Sequence, residues 1–376
     1  MLDVIVAGAG PAGSIAALVL ARAGARVLVV DRDAMPRDRL CGDLLNPGAV
    51  TLLQSLGLDP AVRQGARMIP AMRVTGPFGG VDADYGPMHG VSLPRRDLDA
   101  WLLDEAIQAG ARFHPGDIVR RPLMDDSGAL LRVRGVVLRS RASHTETRMP
   151  ANFVIAADGR RSILARQLGL QMSASKSPRW AFGAHVSDVD GMTDASEVHA
   201  RHGWCLGLTP LADGAVSLWV SVPSPPEGRS PQDVIRRVLS RDRELLARFT
   251  RVRFDRGIGV VGPLTVGAHS PGSPGLLLAG DAAGFADPAT ADGLSLAVQG
   301  GRLAALEAMK TLEDGQFAIA IGRLAEARHR AIGRKLQFDR WVRRCVATPA
   351  AVDAASIGAR MFPAACRRAL RYAAEA

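Results

Sequence analysis

Three glycines near the start of the chain have the spacing of a dinucleotide-binding loop. Gly8, Gly10 and Gly13 form GxGxxG within "VIVAGAGPAGSIAALVL", between a strand-like run and a helix-like run. The first glycine permits a tight turn, the second lets the backbone approach a pyrophosphate, and the third lets helix and strand pack closely. The helix N-terminus adds amides and partial positive charge. The stretch is predicted to hold a dinucleotide.

A carboxylate at the end of the next apolar run indicates which dinucleotide this is. Asp31 closes "ARVLVVD", 18 residues after Gly13, where it can accept hydrogen bonds from both hydroxyls of an adenosine ribose. Because it would repel a 2′-phosphate, FAD or NAD is preferred over NADP. A second match, "GIGVVG" at residues 257–262, is rejected because Pro263 and further glycines follow where a helix is needed.

Three later motifs distinguish FAD from NAD. They are "LPRRDLDAWL" around Arg95, "VIAADGRRS" around Asp158, and "LLLAGDAAGFADPATADGLSLAVQGG" with Asp281 and Gly293. With the glycine loop, and in this order, they resemble the FAD-dependent oxidoreductases of the p-hydroxybenzoate hydroxylase superfamily. Within that superfamily the chain is most similar to the geranylgeranyl-reductase-like branch. The resemblance covers roughly residues 2–309.

The resemblance implies where FAD is held. The loop and Ala12 hold the pyrophosphate, Val119 presents its backbone to the adenine, and Gly293 and Leu294 present amides to the flavin ring. A helix that begins there would stabilise the negative charge of reduced flavin. Asp158 resembles a motif associated with both FAD and NAD(P)H, and its alternative reading is a turn residue at a strand end. NADH or NADPH would be a transient electron donor, without a nucleotide-binding fold of its own. The predicted cofactor-binding residues are Gly8, Gly10, Ala12, Gly13, Asp31, Arg32, Cys41, Gly42, Arg95, Val119, Asp158, Asp281, Pro288, Gly293 and Leu294.

Cys41 is the candidate catalytic residue. In "RLCGDLLNP", Cys41 and Gly42 match the Cys-Gly pair, and "LNP" matches the L-x-P, that line the flavin in the prenyl-reductase branch. A thiol beside the flavin could donate a proton to a carbon atom of the substrate. The alternative is a small apolar residue that packs against the flavin, because a reactive thiol would need a lowered pKa.

The segment "GWCLGLTPLADG" departs from the prenyl reductases, which are rich in aromatic residues there. Gly207 and Thr209 stand where aromatic residues are expected, while Trp204 is retained. We predict that Trp204, Gly207 and Trp219 line the substrate pocket. A halogenase is disfavoured, because no lysine precedes Lys176 and the WxWxIP motif is missing.

Two functions therefore compete. The lack of aromatic residues at Gly207 and Thr209 favours a monooxygenase, either a hydroxylase or an epoxidase. Such an enzyme would use NAD(P)H and O2 on an aromatic, polyketide-like or unsaturated apolar small molecule of secondary metabolism. The alternative is a flavin-dependent reductase that saturates C=C bonds of an isoprenoid-type chain. A flavin-binding protein without turnover is disfavoured by the complete set of motifs.

Periodicity predicts a mixed α/β fold with a discontinuous Rossmann-like FAD-binding domain, an inserted β-sheet substrate domain and a helical C-terminus. The FAD-binding domain takes residues 1–75, 95–170 and 267–312. The substrate domain takes residues 76–94 and 171–266, and the helical segment residues 313–376. Four scattered cysteines without a CxxC pair indicate neither a metal site nor a disulfide framework.

The C-terminal segment is strongly basic. Residues 321–376 contain twelve Arg or Lys and four Asp or Glu, and so carry eight of the ten net positive charges. Such a segment suits an anionic carrier or a membrane surface, and the alternative is a solvated arginine-rich helical face. Nucleic acid is disfavoured, because no zinc-finger or RNP-type signature is present. The chain begins directly with a strand and has no long uncharged apolar run, so we expect a cytoplasmic protein, peripheral to a membrane at most.

Overall fold

The computed structural model describes residues 1–39, 42–125, 131–172, 179–223, 230–255, 257–264, 266–285 and 292–375. The strands in these ranges are β1 (Leu2–Ala7), β2 (Val27–Asp31), β3 (Leu44–Leu45), β4 (Arg67–Ile69), β5 (Ala71–Gly76), β6 (Gly79–Asp84), β7 (Gly90–Ser92), β8 (Arg112–Pro115), β9 (Asp117–Asp125), β10 (Arg132–Ser140), β11 (Glu146–Ala156), β12 (Trp180–Ser187), β13 (Ser196–Arg201), β14 (Trp204–Pro210), β15 (Val216–Val222), β16 (Arg253–Phe254), β17 (Gly259–Val261), β18 (Val266–Gly267), β19 (Gly272–Ser273), β20 (Leu276–Leu278) and β21 (Gly284–Phe285). The helices are α1 (Pro11–Arg22), α2 (Pro47–Ser55), α3 (Arg95–Gln108), α4 (Ile163–Gln167), α5 (Pro231–Leu239), α6 (Arg243–Arg248), α7 (Gly293–Asp314), α8 (Ala320–Ala347), α9 (Pro349–Met361) and α10 (Pro363–Glu375).

The first sheet contains the predicted nucleotide-binding strands. Its order is β19-β20-β11-β1-β2-β8, and β8, β2, β1, β11 and β20 run parallel. Both faces are buried, because Val4 and Val6 of β1 join a core with α1, α3 and α7, while Ile5 joins a core on the other face. The order reverses between β1 and β11, and ligands of such sheets bind beyond the carboxyl ends of the strands at that reversal.

The second sheet has the order β16-β12-β15-β14-β13-β5-β6, with β17 beside β12. Helices α5 and α6 cover one face, where Ile235 and Leu245 pack against apolar side chains of β12, β14 and β15. Ser230 caps α5 by accepting the N–H of Asp233 with its side-chain oxygen. The predicted domain boundary after residue 75 falls within β5, whose hydrogen bonds are to β6 and β13 of this sheet.

The predicted helical C-terminus is formed by α8, α9 and α10. Helix α8 packs on α7, α9 packs on β5 and β6, and α10 contacts β6 and α2. The C-terminal helices therefore contact strands of the second sheet as well as helices α2 and α7. Among the helices that the structure describes, none is long and apolar enough to cross a membrane.

Candidate functional site

The glycine loop lies at the carboxyl end of β1, next to the end of β11. Gly8 has φ +104°, and a Cβ atom there would collide with the backbone of Ala157. A Cβ on Gly13 would collide with the carbonyl oxygen of Gly8, so only glycine lets α1 start this close to the strand. Gly10 faces a roomier side, where a Cβ would lie 3.8 Å from the guanidinium of Arg37. The loop thus offers backbone and positive charge to a phosphate group.

Asp31 ends β2 beside this loop. Its carboxylate accepts the Ala9 N–H at 2.7 Å, the Asp33 N–H at 3.0 Å and a guanidinium N–H of Arg37 at 2.6 Å. Burial, together with the nearby charges of Arg37 and Arg32, lowers the pKa of Arg39. The guanidinium groups near the glycine loop suit the diphosphate of FAD, and the contact of Asp31 with the ribose stays a prediction.

Glycines from distant segments meet at Ala12. A Cβ on Gly280 would lie 2.7 Å from the Cβ of Ala12, and one on Gly301 of α7 would collide with the Ala12 backbone. Asp281 follows Gly280 and lies 3.5 Å from Arg160. The motif that contains Gly280 and Asp281 therefore lies next to the glycine loop, although some 270 residues separate the two in the chain.

Asp158 and Arg95 are held by the protein itself. Asp158 accepts the N–H of Ile163 at the start of α4 at 2.9 Å, and burial raises its pKa. Arg95 pairs with buried Asp99 through two hydrogen bonds of 2.8 and 3.0 Å. Its guanidinium lies 3.2 Å from where a Cβ of Gly42 would stand. Both residues lie at the predicted cofactor crevice, and their contact with FAD stays a prediction.

Asp43 links the Cys-Gly segment to the second sheet. It accepts hydrogen bonds from the backbone N–H of Arg95 at 2.8 Å and from the Ser217 hydroxyl at 2.5 Å, and it lies 2.9 Å from Nε2 of His185. All three side chains, Asp43, His185 and Ser217, are buried. Cys41 and Pro288 lie outside the described residues, so their predicted roles stay predictions.

The three predicted pocket residues do not come together. Strand alternation places Gly207 and Trp219 on the face that bears His185 and Ser217, and the indole of Trp219 lies over Gly207. Trp204 points to the opposite face, where it packs in the core beneath α5 and α6. Alternation predicts that neighbouring residues face opposite sides, but the sequence does not tell which side meets the cofactor.

The remaining predicted residues lie in other segments of the chain. Arg32 is exposed and contacts Asp33, and Val119 is a buried residue of β9. Gly293 and Leu294 begin α7, as the resemblance implies. Their contacts with the cofactor stay predictions.

A buried ion pair at the start of α7 was missed by the sequence analysis. Asp292 accepts a hydrogen bond from the Asn46 amide at 2.7 Å and pairs with Lys335 of α8 at 2.9 Å. Lys335 also donates to the carbonyl of Ala373 at 2.6 Å. Asp292 and Lys335 are only 2% and 3% exposed, and burial and the nearby carboxylate of Asp339 raise the pKa of Asp292, whereas Lys335 lowers it. A signal was present, because Lys335 is one of three lysines in an arginine-rich chain.

An apolar cavity of about 110 Å³ adjoins this ion pair. It lies between the second sheet and the C-terminal helices, and Asn46 is the polar member of its described lining. The lining residues are Asn46, Met72, Val74, Val198, Ala200, Cys205, Phe338, Val342, Val346, Leu370, Ala373 and Ala374. Asn46 thus contacts Asp292 at the start of α7 and also lines the apolar cavity.

Comparison with known proteins decides the family. A family model described as an FAD binding domain matches residues 1–312. The chain belongs to this FAD-binding family. The predicted family, the fold class and FAD as the cofactor are therefore confirmed, while NADH or NADPH as electron donor stays a prediction.

Similar proteins include reductases and a halogenating enzyme. The chain is 33% identical over 325 residues to menaquinone reductase of Mycobacterium tuberculosis, with 81% of this chain and 75% of that protein covered. It is 30% identical over 322 residues to digeranylgeranylglycerophospholipid reductase 2 of Methanopyrus kandleri, with 83% and 78% covered. The solved structure of the flavin-dependent brominase Bmp2 superposes with TM-score 0.84 at 19% identity, covering 100% of this chain and 93% of that one. At this low identity, the structural similarity to Bmp2 shows a shared fold and no shared activity.

Proposed function

We propose that the protein is an FAD-dependent reductase that saturates a C=C bond in an isoprenoid-bearing, apolar molecule. The observation that carries the proposal is the apolar cavity, whose described polar lining residue, Asn46, holds Asp292 at the first turn of α7. The relatives named above as reductases support it, because menaquinones and digeranylgeranyl lipids both carry unsaturated isoprenoid chains.

This proposal reverses the order of preference that the sequence alone favoured. The monooxygenase was preferred because aromatic residues are missing at Gly207 and Thr209. Strand β14 contributes only Cys205 to the described lining of the cavity, and the large apolar side chains come from other elements, including Met72 of β5, Phe338 of α8 and Leu370 of α10. Missing aromatic residues in β14 therefore do not argue against an isoprenoid substrate.

The proposed reaction adds two electrons and two protons to one C=C bond. FAD, reduced by a nicotinamide, supplies both electrons and one of the protons when bound. The chain supplies the second proton, which we assign to Cys41, and its apolar cavity excludes water from the double bond. Asn46 and Lys335 hold Asp292 in place at the start of α7.

A monooxygenase is the second candidate, and one observation favours it. Trp219 lies across Gly207 on the face that carries the hydroxyls of Thr209 and Ser217. A flat indole beside hydroxyl groups suits a phenolic ring better than an isoprenoid chain.

Product analysis distinguishes the two reactions. The holoenzyme would be incubated with NADH or NADPH and a menaquinone or a digeranylgeranyl glycerophospholipid, under labelled O2 and under nitrogen. We expect a product that gains two hydrogen atoms in its isoprenoid chain under both gases, whereas a gain at the quinone ring alone would contradict C=C saturation. A product that gains one labelled oxygen atom, and forms only with O2, would establish the monooxygenase instead. A Cys41→Ala variant with unchanged turnover would remove Cys41 as the proton donor.

A further inference from the structure

The cavity wall continues to the protein surface through an aromatic cluster. Phe338 lines the cavity, and its ring centroid lies 6.0 Å from that of Trp341 and 6.4 Å from that of Tyr372. Trp341 is 59% exposed and Tyr372 is 47% exposed. The three aromatic side chains therefore connect the wall of the cavity with the solvent-exposed surface.

Exposed arginines lie next to these aromatic residues. Arg340 precedes Trp341 in α8, and helical spacing places Arg344 one turn further on the same side. Arg368 lies one turn before Tyr372 in α10. These three arginines are exposed, whereas Asp339 is buried, Asp353 pairs with His202, and one exposed carboxylate, Glu375, follows Tyr372 in α10.

The cavity is too small for a long chain. Its volume of about 110 Å³ is smaller than the roughly 150 Å³ of an engineered apolar cavity that holds one benzene molecule. A long isoprenoid with one double bond in the cavity must therefore extend outward, and the aromatic cluster at Phe338 is an apolar route out.

We infer that Phe338, Arg340, Trp341, Arg344, Arg368 and Tyr372, which we call the aromatic–arginine face, bind an anionic lipid bilayer from which the apolar substrate enters the cavity. Trp and Tyr favour the boundary between headgroups and acyl chains, and arginines near an anionic leaflet add attraction. The entry of a lipid substrate rests on the proposed function, but binding to the bilayer does not. An acidic carrier protein would satisfy the arginines while giving no partner to Trp341 and the cluster behind it.

Vesicle sedimentation of the FAD-loaded protein tests this inference, without substrate or nicotinamide. We expect binding to vesicles containing phosphatidylglycerol, weakening with added salt, and at least about tenfold weaker binding to pure phosphatidylcholine. A Trp341→Ser/Tyr372→Ser variant should lose about tenfold in binding to anionic vesicles. A variant with Arg340, Arg344 and Arg368 changed to Gln should lose the preference for anionic lipid. FAD content would verify that each variant is folded.

The matched control changes Arg236, Arg237 and Arg241 to Gln, because these arginines are also exposed but lie in or just after α5. It should bind vesicles like the parent protein. An equal loss in this control, no binding to anionic vesicles, or binding to an acidic carrier protein alone would overturn the inference. Vesicle binding without turnover of any isoprenoid would refute the proposed function and support bilayer binding by the aromatic–arginine face. Turnover of a detergent-dispersed isoprenoid without vesicle binding would support the proposed function and refute bilayer binding by the aromatic–arginine face.

Discussion

The two ends of the site are built in different ways. At the glycine loop, Gly8 and Gly13 come from one short strand–turn–helix stretch. At the start of α7, Asp292 is held by Asn46 and Lys335, from parts of the chain separated by hundreds of residues. The first end depends on local backbone geometry, and the second depends on how helices from three segments pack together.

The difference is also one of chemistry. The loop needs residues without side chains, because a Cβ on Gly13 would strike the Gly8 carbonyl oxygen. The α7 end needs opposite charges to meet in a buried place, where each is expensive to leave unpaired. A change at the first end should therefore affect the cofactor, and a change at the second should affect the fold and the C-terminal helices.

A substitution in the loop should have the largest effect. Gly13→Ala forces the loop and α1 apart, so we expect purification of protein without FAD, measured by release of flavin on denaturation. Gly322→Ala in α8 is the control, because a Cβ there meets no atom within 4 Å, and it should retain full FAD. Normal FAD content in Gly13→Ala would show that the loop does not hold the cofactor.

Breaking the buried pair should destabilise the fold. Lys335→Met leaves Asp292 buried without its cation, which we expect to lower the free energy of unfolding by about 3–5 kcal/mol, measured in urea. Lys310→Met, at an exposed position of α7, should change it by less than about 0.5 kcal/mol. Adding Asp292→Asn to Lys335→Met should recover part of the loss. A stability loss in the Lys310 variant equal to that in the Lys335 variant would contradict this account.

Acid should act on the second sheet through Glu197. Burial opposes its ionisation, but hydrogen bonds with His199 and Arg248 lower the pKa of Glu197 from 4.5 to about 2. Because the folded pKa is the lower one, its stabilisation is complete above pH 4.5 and disappears as the pH falls to about 2. The loss should be roughly 3 kcal/mol. Glu197→Gln should flatten this part of the pH–stability profile, and an unchanged slope would contradict the assignment.

The smallest effect is expected at Gly207. Gly207→Ala would push against the Trp219 indole, so we expect a loss of about 1–3 kcal/mol in unfolding free energy with full FAD content. Gly358→Ala in α9 is the control, because a Cβ there meets no atom within 4 Å. Loss of FAD from Gly207→Ala would show that this face of β14 is not separate from the cofactor site.

The sequence predicted the features that short stretches determine. The glycine loop, Asp31 at a strand end and the helix that begins at Gly293 all depend on neighbours in the chain. It did not predict which face of β14 meets the crevice, and so Trp204 was grouped with Gly207 and Trp219. The pair of Asp292 and Lys335 and the cavity at Phe338 depend on packing between α7, α8, α10 and the second sheet, for which no local pattern exists.

The most direct test of the proposed reaction is anaerobic reoxidation of the bound flavin, followed by its absorbance. The FAD-loaded protein would be reduced with one equivalent of dithionite and mixed with a menaquinone or a digeranylgeranyl glycerophospholipid. We predict that the flavin is reoxidised without O2, in step with the appearance of a product that carries two more hydrogen atoms in its isoprenoid chain. A flavin that stays reduced with these acceptors and reoxidises only when O2 is admitted would contradict the reductase.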